Sequence, residues 1–450
     1  MLLVNHDGER EQPTLIEVAL AHPAARHVKE LRIAAIDTSC RRQTVNEYYY
    51  RLSFGSLPSE SLRDLHIVNS NNLTPAPPRT FFPRLTALHL QGCTFDLDTL
   101  QDTVDAAPQL VTLHLESSIL HPWIKKSRTV AGVQVQHHRL ICPAVTALVV
   151  EDCSCGWSDE EEEAMLELDL PRLRYFRYKG HVHSQLPLMK PQEVSSSLVR
   201  ADLHFTKYTY GEDSTIFWQF LIQNFHMVKV LRLKLDFPIE RIGFPDKEEH
   251  DDPLNNILFH NVEHLELEGR YGPAIKTAGV AIGDLLHCCP VVRDLHLKVI
   301  AVASLQSSSR SSVERQAQLD FDESVNHFRR RRRPPISLGK NDDNTHDQVS
   351  DVPVLGERSL YCLKSSLRRV SLQFQIDEPN CFGARLAKFF AEKSQVLEEL
   401  HVDDGSRKMC QHMNWKIRKW ISNSSKRKTP PTSTSFVEPC PKKRQIGSQS

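Results

Sequence analysis

Nowhere in the 450 residues do eighteen apolar residues follow one another, and the opening MLLVNHDGEREQ meets charge before a leader-length apolar core can form. A membrane span and a secretory leader are therefore not expected. The eleven cysteines, from Cys40 to Cys440, show no repeated spacing. Several sit in apolar strand-like runs, where a free thiol acts as a small hydrophobe, so no disulfide framework is expected and the compartment reads as reducing, nucleus or cytoplasm. A net charge is also missing, because 56 basic residues balance 56 acidic ones. That balance selects neither nucleic acid nor membrane as a partner.

Catalytic signatures are lacking as well. There is no Walker-type glycine loop, no Gly-x-Ser-x-Gly and no His-Glu-x-x-His, and the run Asp159 to Glu163 is too uniformly acidic for a tuned acid/base pair. An enzyme is not expected, nor a cofactor. Cys153-Ser-Cys155 and His287-Cys288-Cys289 have no second pair at zinc-ligand spacing, so no metal is expected. His137-His138 and His181-Val-His183 read as surface histidines.

What is present is a repeat. One hexad, apolar-x-x-apolar-x-apolar, begins at Val28, Leu62, Leu85, Leu110, Val145, Leu173, Leu198, Val228, Val262, Val292, Leu367 and Leu397. Successive starts are 34, 23, 25, 35, 28, 25, 30, 34, 30, 75 and 30 residues apart, mostly in or just above the leucine-rich-repeat range of about 20–29. Alternation of period two is the mark of a short strand with one face buried. A single unit of this size cannot bury its apolar side, whereas stacked neighbours can. Proline often precedes the hexad, as Pro83, Pro108, Pro143, Pro171 and Pro290 do, and suits the bend entering a strand. Helix-like runs lie between hexads at Leu97 to Ala106, Ser214 to Asn224 and Ala274 to Cys288.

The expected fold is α/β, an irregular leucine-rich-repeat solenoid, with parallel strands on a concave face and short helices on a convex one. Residues 1–27 form a lead-in, 28–303 the repeats, and 358–422 the closing repeats. Two segments depart from the array. Residues 304–357 hold SLQSSSRSS and the run Arg329, Arg330, Arg331, Arg332, Arg333, and are expected to be a disordered insertion. Residues 423–450 read as a disordered basic tail with Lys426-Arg427-Lys428 and Lys442, Lys443, Arg444. These clusters suit nuclear import, and plain solubility charge is the other reading. No aromatics interleave with the Arg run, which argues against nucleic acid.

The middle variable position of each hexad gives Arg32, His66, His89, His114, Val149, Arg177, Asp202, Arg232, Glu266, His296, Ser371 and His401. In a regular array these form one column on the concave face. His66, His89, His114, Arg177, Arg232, His296 and His401 are the candidate partner contacts. They are expected to make a weakly basic strip whose charge rises as pH falls through about 6.5, complementary to aspartate or phosphate on a partner. The competing reading is that exposed repeat positions tolerate any polar residue, with histidine copied by duplication.

Leu170-Pro-Arg-Leu-Arg-Tyr-Phe-Arg-Tyr-Lys-Gly180 and His287-Cys-Cys-Pro-Val-Val-Arg-Asp-Leu-His-Leu297 resemble the plant, especially grass, family of F-box proteins with leucine-rich repeats. Ser366 to Phe374, Leu386 to Phe390 and Val396 to Leu400 resemble the FBD module that closes many of them. In that family the F-box docks on the adaptor of a cullin-RING ubiquitin ligase and the repeats select the substrate. The resemblance thus implies an unknown substrate protein as partner, and the ligase adaptor too if an F-box is present in the full gene. No F-box match precedes Val28, and Thr14 to Asp37 resemble the stretch that follows the module. Either the sequence is truncated or the module has been lost, and in the second case a stand-alone scaffold or decoy is the alternative.

Overall fold

A computed structural model describes residues 2–4, 18–20, 22–35, 52, 54–58, 60–70, 73, 81–121, 128–130, 133–155, 164–182, 188–189, 198–208, 214–243, 259–272, 275–301, 352, 355, 360–374, 381–403 and 413–422. Its centre is one open sheet of thirteen strands. In spatial order these are Leu2–Val4, Glu30–Ala35, Asp64–Val68, Ala87–Gln91, Thr112–Glu116, Ala147–Glu151, Tyr175–Val182, Arg200–Tyr208, Val230–Pro238, His264–Tyr271, Asp294–Ala301, Arg369–Phe374 and Glu399–Asp403. Every neighbouring pair is parallel. The last twelve of these strands are the twelve hexads, laid side by side in chain order. Leu2–Val4 had no hexad to announce it.

Most of these strands alternate a buried with a partly exposed residue, as in the five positions from Ala87 to Gln91. Leu65, Leu90, Leu115 and Leu267 are all on the buried side, at 3% exposure or less. Burying such a side chain gives about 1.5–3 kcal/mol, and most of the strands supply two or more. The helices cover that same apolar side. Leu97–Asp105 buries Leu97, Leu100 and Val104, and Ser214–Phe225 buries Phe217, Trp218, Phe220, Leu221 and Phe225. Ile275–Cys288 and Phe382–Lys393 bury apolar stripes in the same way. Trp218 lies fully buried and donates its indole N–H to the Ile242 carbonyl at 2.8 Å, so its polar edge costs little.

The prolines noted above stand in i to i+3 turns that feed the strands. Leu85 N–H donates to Phe82 O, Leu110 to Ala107, Val145 to Cys142, Leu173 to Leu170 and Val292 to Cys289. Proline fills the second position each time, where its fixed φ matches the turn. Beyond each turn, two successive N–H groups donate to one carbonyl of the preceding unit. Thr86 and Ala87 share Arg63 O, Val111 and Thr112 share Thr86 O, and Thr146 and Ala147 share Val111 O. The series runs unbroken from Lys29 O to Arg368 O, which receives Glu398 and Glu399.

Small parallel strands follow three of the main ones, at Thr94–Asp96, Ile119–His121 and Ser154–Cys155. The chain reaches them through the left-handed residues Gly92, Ser117 and Asp152, with φ of 60, 48 and 50°, and Asn69, at 57°, holds the equivalent place after Asp64–Val68. A further four-stranded sheet joins Arg128–Val130, Val133–Ile141, Ala164–Asp169 and Leu188–Met189.

The insertion does not break the main sheet, since Asp294–Ala301 pairs directly with Arg369–Phe374. Of the stretch 304–357 expected to be disordered, only Val352 and Leu355 are among the described residues, and these two correct that boundary. They are 4% and 1% exposed, because Val352 seats against the Gly279 backbone of the helix Ile275–Cys288, where a Cβ would lie 2.9 Å away. The remainder of that stretch, the tail from 423 and the basic clusters Arg329 to Arg333, Lys426 to Lys428 and Lys442 to Arg444 lie outside the described residues. Among the described residues no helix is long and apolar enough to cross a membrane.

Candidate functional site

The middle-position column forms in full. Arg32 pairs with His66, His66 with His89, His89 with His114, and His114 with Val149. The register continues through Arg177, Asp202, Arg232, Glu266, His296, Ser371 and His401. All of these residues face away from the leucine core, since period two sends alternate side chains to opposite faces. His66, His89, His114, Arg177, Arg232, His296 and His401 therefore share one surface.

A second column runs beside it, two residues further along each strand. It comprises Gln91, Glu116, Glu151, Lys179, His204, Lys234, Glu268, Lys298, Gln373 and Asp403, again in unbroken register. Reading inside the hexad missed it, because the hexad ends one residue too soon. The signal was available in the same alternation.

Ion pairs along and between the columns balance the charge of the face. Arg177 Nε meets Glu151 Oε1 at 2.7 Å, and Arg232 Nε meets Glu266 Oε2 at 2.8 Å and Asp202 Oδ1 at 3.9 Å. Lys298 and Lys234 approach Glu268 at 3.2 and 3.7 Å, and His204 approaches Asp236 at 2.9 Å. Asp202 also accepts from Tyr175 and takes both ends of Arg200. The weakly basic strip expected from counting is thus corrected to an interleaved, near-neutral face. Asp202 and Glu266 of the first column already pair with Arg232, and the second column adds Glu151, which pairs with Arg177.

No family model, curated protein or solved structure matches this chain. Its own geometry therefore carries the reading of the site.

The face holds two shallow depressions toward opposite ends of the array. One, of about 490 Å³, is bordered by Glu30, Arg32, Asp64, His66, His89 and His114. The other, of about 340 Å³, is bordered by His264, Asp294, His296, Arg369, Glu399 and His401. Column histidines gather at both, and the paired arginines lie between.

In the first depression three imidazoles stack. His66 and His89 are 3.9 Å apart between ring centroids at 8°, and His89 and His114 are 3.8 Å apart at 6°. The Nε2 atoms of all three are closed to solvent and have no hydrogen-bond partner from the protein. His89 Nε2 lies 3.4 Å and His114 Nε2 4.0 Å from Glu116 Oε2, close to the carboxylate but not aligned as donors. Leaving a buried polar atom unmatched costs about 1–3 kcal/mol, while a stacked ring pair returns about 0.5–1.5 kcal/mol.

Burial holds the His89 pKa down at about 4, with the neighbouring His114, His66 and Arg32 adding to the effect. Burial also lowers the pKa of His66, seconded by Arg32, and that of His114 and His264. The rise in charge expected through pH 6.5 is thus shifted to lower pH for His66, His89 and His114, because desolvation disfavours the charged imidazole.

Cys288 and Cys289, weighed above as ligands, are buried among core leucines. Full burial pushes the Cys289 thiol far above its usual range. Cys153 is half-buried and its thiol approaches the Glu151 carbonyl at 3.5 Å. His183 and the acidic run 159–163 lie outside the described residues, as do the side chains of His137 and His138.

Proposed function

We propose that this chain is an irregular leucine-rich-repeat solenoid that holds another protein on the open face of its sheet, as the substrate-selecting part of an F-box subunit does. The observation that carries the reading is the unbroken register of the middle-position column across twelve consecutive strands, from Arg32 to His401, polar at every place but Val149. Strands stand about 4.8 Å apart, so twelve of them span about 50 Å, and five residues of strand add about 17 Å of width. A face of that size offers roughly 800 Å², the share each partner contributes to a standard protein interface. A small ligand needs far less.

The interleaving of acids and bases supports a partner recognised by matching polar groups rather than by one strong charge. The two histidine-bordered depressions are the places for its anchoring side chains. In this reading the structural leucines act only by holding the columns in register.

Affinity purification of the tagged full-length protein from plant cells, with the proteasome inhibited, tests both parts. Recovery of the ligase adaptor and cullin together with further proteins is the expected result. A set of partners without adaptor or cullin moves the assignment to a stand-alone scaffold or decoy. If replacing His296 and His401 together by Ala leaves the recovered partners unchanged, the second depression is not a contact surface.

A further inference from the structure

We infer that His89, His114 and Glu116 form a binding site for zinc or a neighbouring late first-row divalent cation on the open face of the sheet. One ligand atom from each residue lies within 4.8 Å of the others. Two imidazole nitrogens and one carboxylate oxygen form a donor set suited to such borderline cations. Adjacent strands deliver it without any loop. His89 and His114 sit directly opposite each other across the sheet, and Glu116 follows His114 by two residues, so period two returns it to the same face.

The surroundings are arranged for this use. Gln91 Nε2 donates to Glu116 Oε1 at 3.2 Å, which fixes the carboxylate and leaves Oε2, the oxygen nearest both imidazoles, for the ion. A second partner of this kind is what holds metal-binding carboxylates in place. His66 stacks on the far face of His89 and steadies its ring. Tetrahedral coordination with metal–nitrogen distances of about 2.0–2.1 Å sets ligand atoms roughly 3.3 Å apart; His89 Nε2 already lies 3.4 Å from Glu116 Oε2, while His114 Nε2, at 4.0 Å, has to close in. Stacked rings carry parallel lone pairs, so binding requires one ring to turn about its Cβ–Cγ bond. The side chains are about a third exposed, at 27, 26 and 31% for His89, His114 and Glu116. The two Nε2 atoms themselves are closed to solvent in the stacked arrangement, so the turn of a ring is also what opens them to the ion.

The probe is Zn²⁺ titrated into the full-length protein against a chromophoric chelator, with Co²⁺ as a spectroscopic substitute. Wild type is expected to take up one equivalent that is weakened at least about tenfold in His89→Ala, His114→Ala and Glu116→Gln. The visible bands of four-coordinate Co²⁺ should fade in step. His296→Ala, with a column histidine removed elsewhere, should bind as wild type does. Glu116→Gln keeps the side-chain shape and carries the test if a histidine variant fails to fold by circular dichroism. Equal affinity across all four variants, or equal loss in His296→Ala, overturns the assignment. Neither result depends on whether the face holds a protein.

Discussion

Arg369 closes a two-pronged ion pair on Asp294, with Nε to Oδ1 at 2.6 Å and a terminal nitrogen to Oδ2 at 2.8 Å, although 75 residues separate them. The pair sits at one register position of the sheet, Asp294 opposite Arg369. Two units divided by a long insertion are thus joined as tightly as units with none. Ser366 donating to Pro290 O at 2.9 Å secures the same junction.

This pair gives stability a dependence on pH. Arg369 holds the Asp294 carboxyl below its usual value of 3.8, against the opposing effect of burial. A lowered carboxylate pKa stabilises the fold above the unfolded value and ceases to do so as pH falls through the folded one. Asp294→Asn should therefore lower the urea midpoint at pH 7, with the gap to wild type closing only below about pH 4. The effect is modest because Arg369 is largely exposed and screened. A gap that stayed constant down to pH 2 would show that the charge is not its source.

The core side of the strands is expected to be unforgiving. Leu267 is 0% exposed, so Leu267→Ala should cost about 2–5 kcal/mol through lost burial and a residual cavity. Leu267→Asp should prevent the neighbouring units from folding, because an unpaired charge would be buried there. Chemical denaturation followed by circular dichroism measures both. Leu267→Asp unfolding like wild type would contradict the packing described.

Gly92 stands where the chain enters the small strand Thr94–Asp96 in a left-handed conformation that a side chain would strain. Its φ is +60°, and a Cβ would meet Asn69 Oδ1 at 2.4 Å. Gly92→Ala should destabilise by at least about 1 kcal/mol. Adding Asn69→Gly should restore part of that, since the contact is relieved while the left-handed backbone remains. Thermal denaturation of the single and double variants separates the two causes.

Thiol chemistry offers a test of burial. Desolvation raises the Cys93 pKa to about 11 and those of Cys142 and Cys362 to about 12. At pH 8 no more than about one thiol in a thousand is ionised at such a site, and the thiolate is the reactive form. These three should resist iodoacetamide in the native protein and react in urea. Mass spectrometry of peptides reads the outcome, and rapid native labelling of Cys142 would show its turn to be open.

The parallel sheet was legible in advance because period two is a strong signal when it recurs twelve times. Strand order followed from chain order, and the helices at Leu97–Asp105, Ser214–Phe225 and Ile275–Cys288 matched the runs picked out between hexads. Leu2–Val4 was hidden because three residues carry no period. Of the site, the position of every column residue was readable, but its electrostatics were not. Charge balance between Arg177 and Glu151, or burial around His89, depends on which strands become neighbours, and a one-strand reading leaves the neighbour out. The His89, His114 and Glu116 cluster is hidden for the same reason, since it is assembled across neighbouring strands and has no ligand spacing along the chain.

The shared carbonyls that run from Lys29 to Arg368 give the array a heredity of its own. Every unit carries both the donor pair that joins it to its predecessor and the acceptor that receives its successor, so a copied unit arrives with both ends of its junction ready. Length in such a protein changes in whole steps of about 4.8 Å, and a gene that gains or loses one unit passes on a sheet whose seams still close.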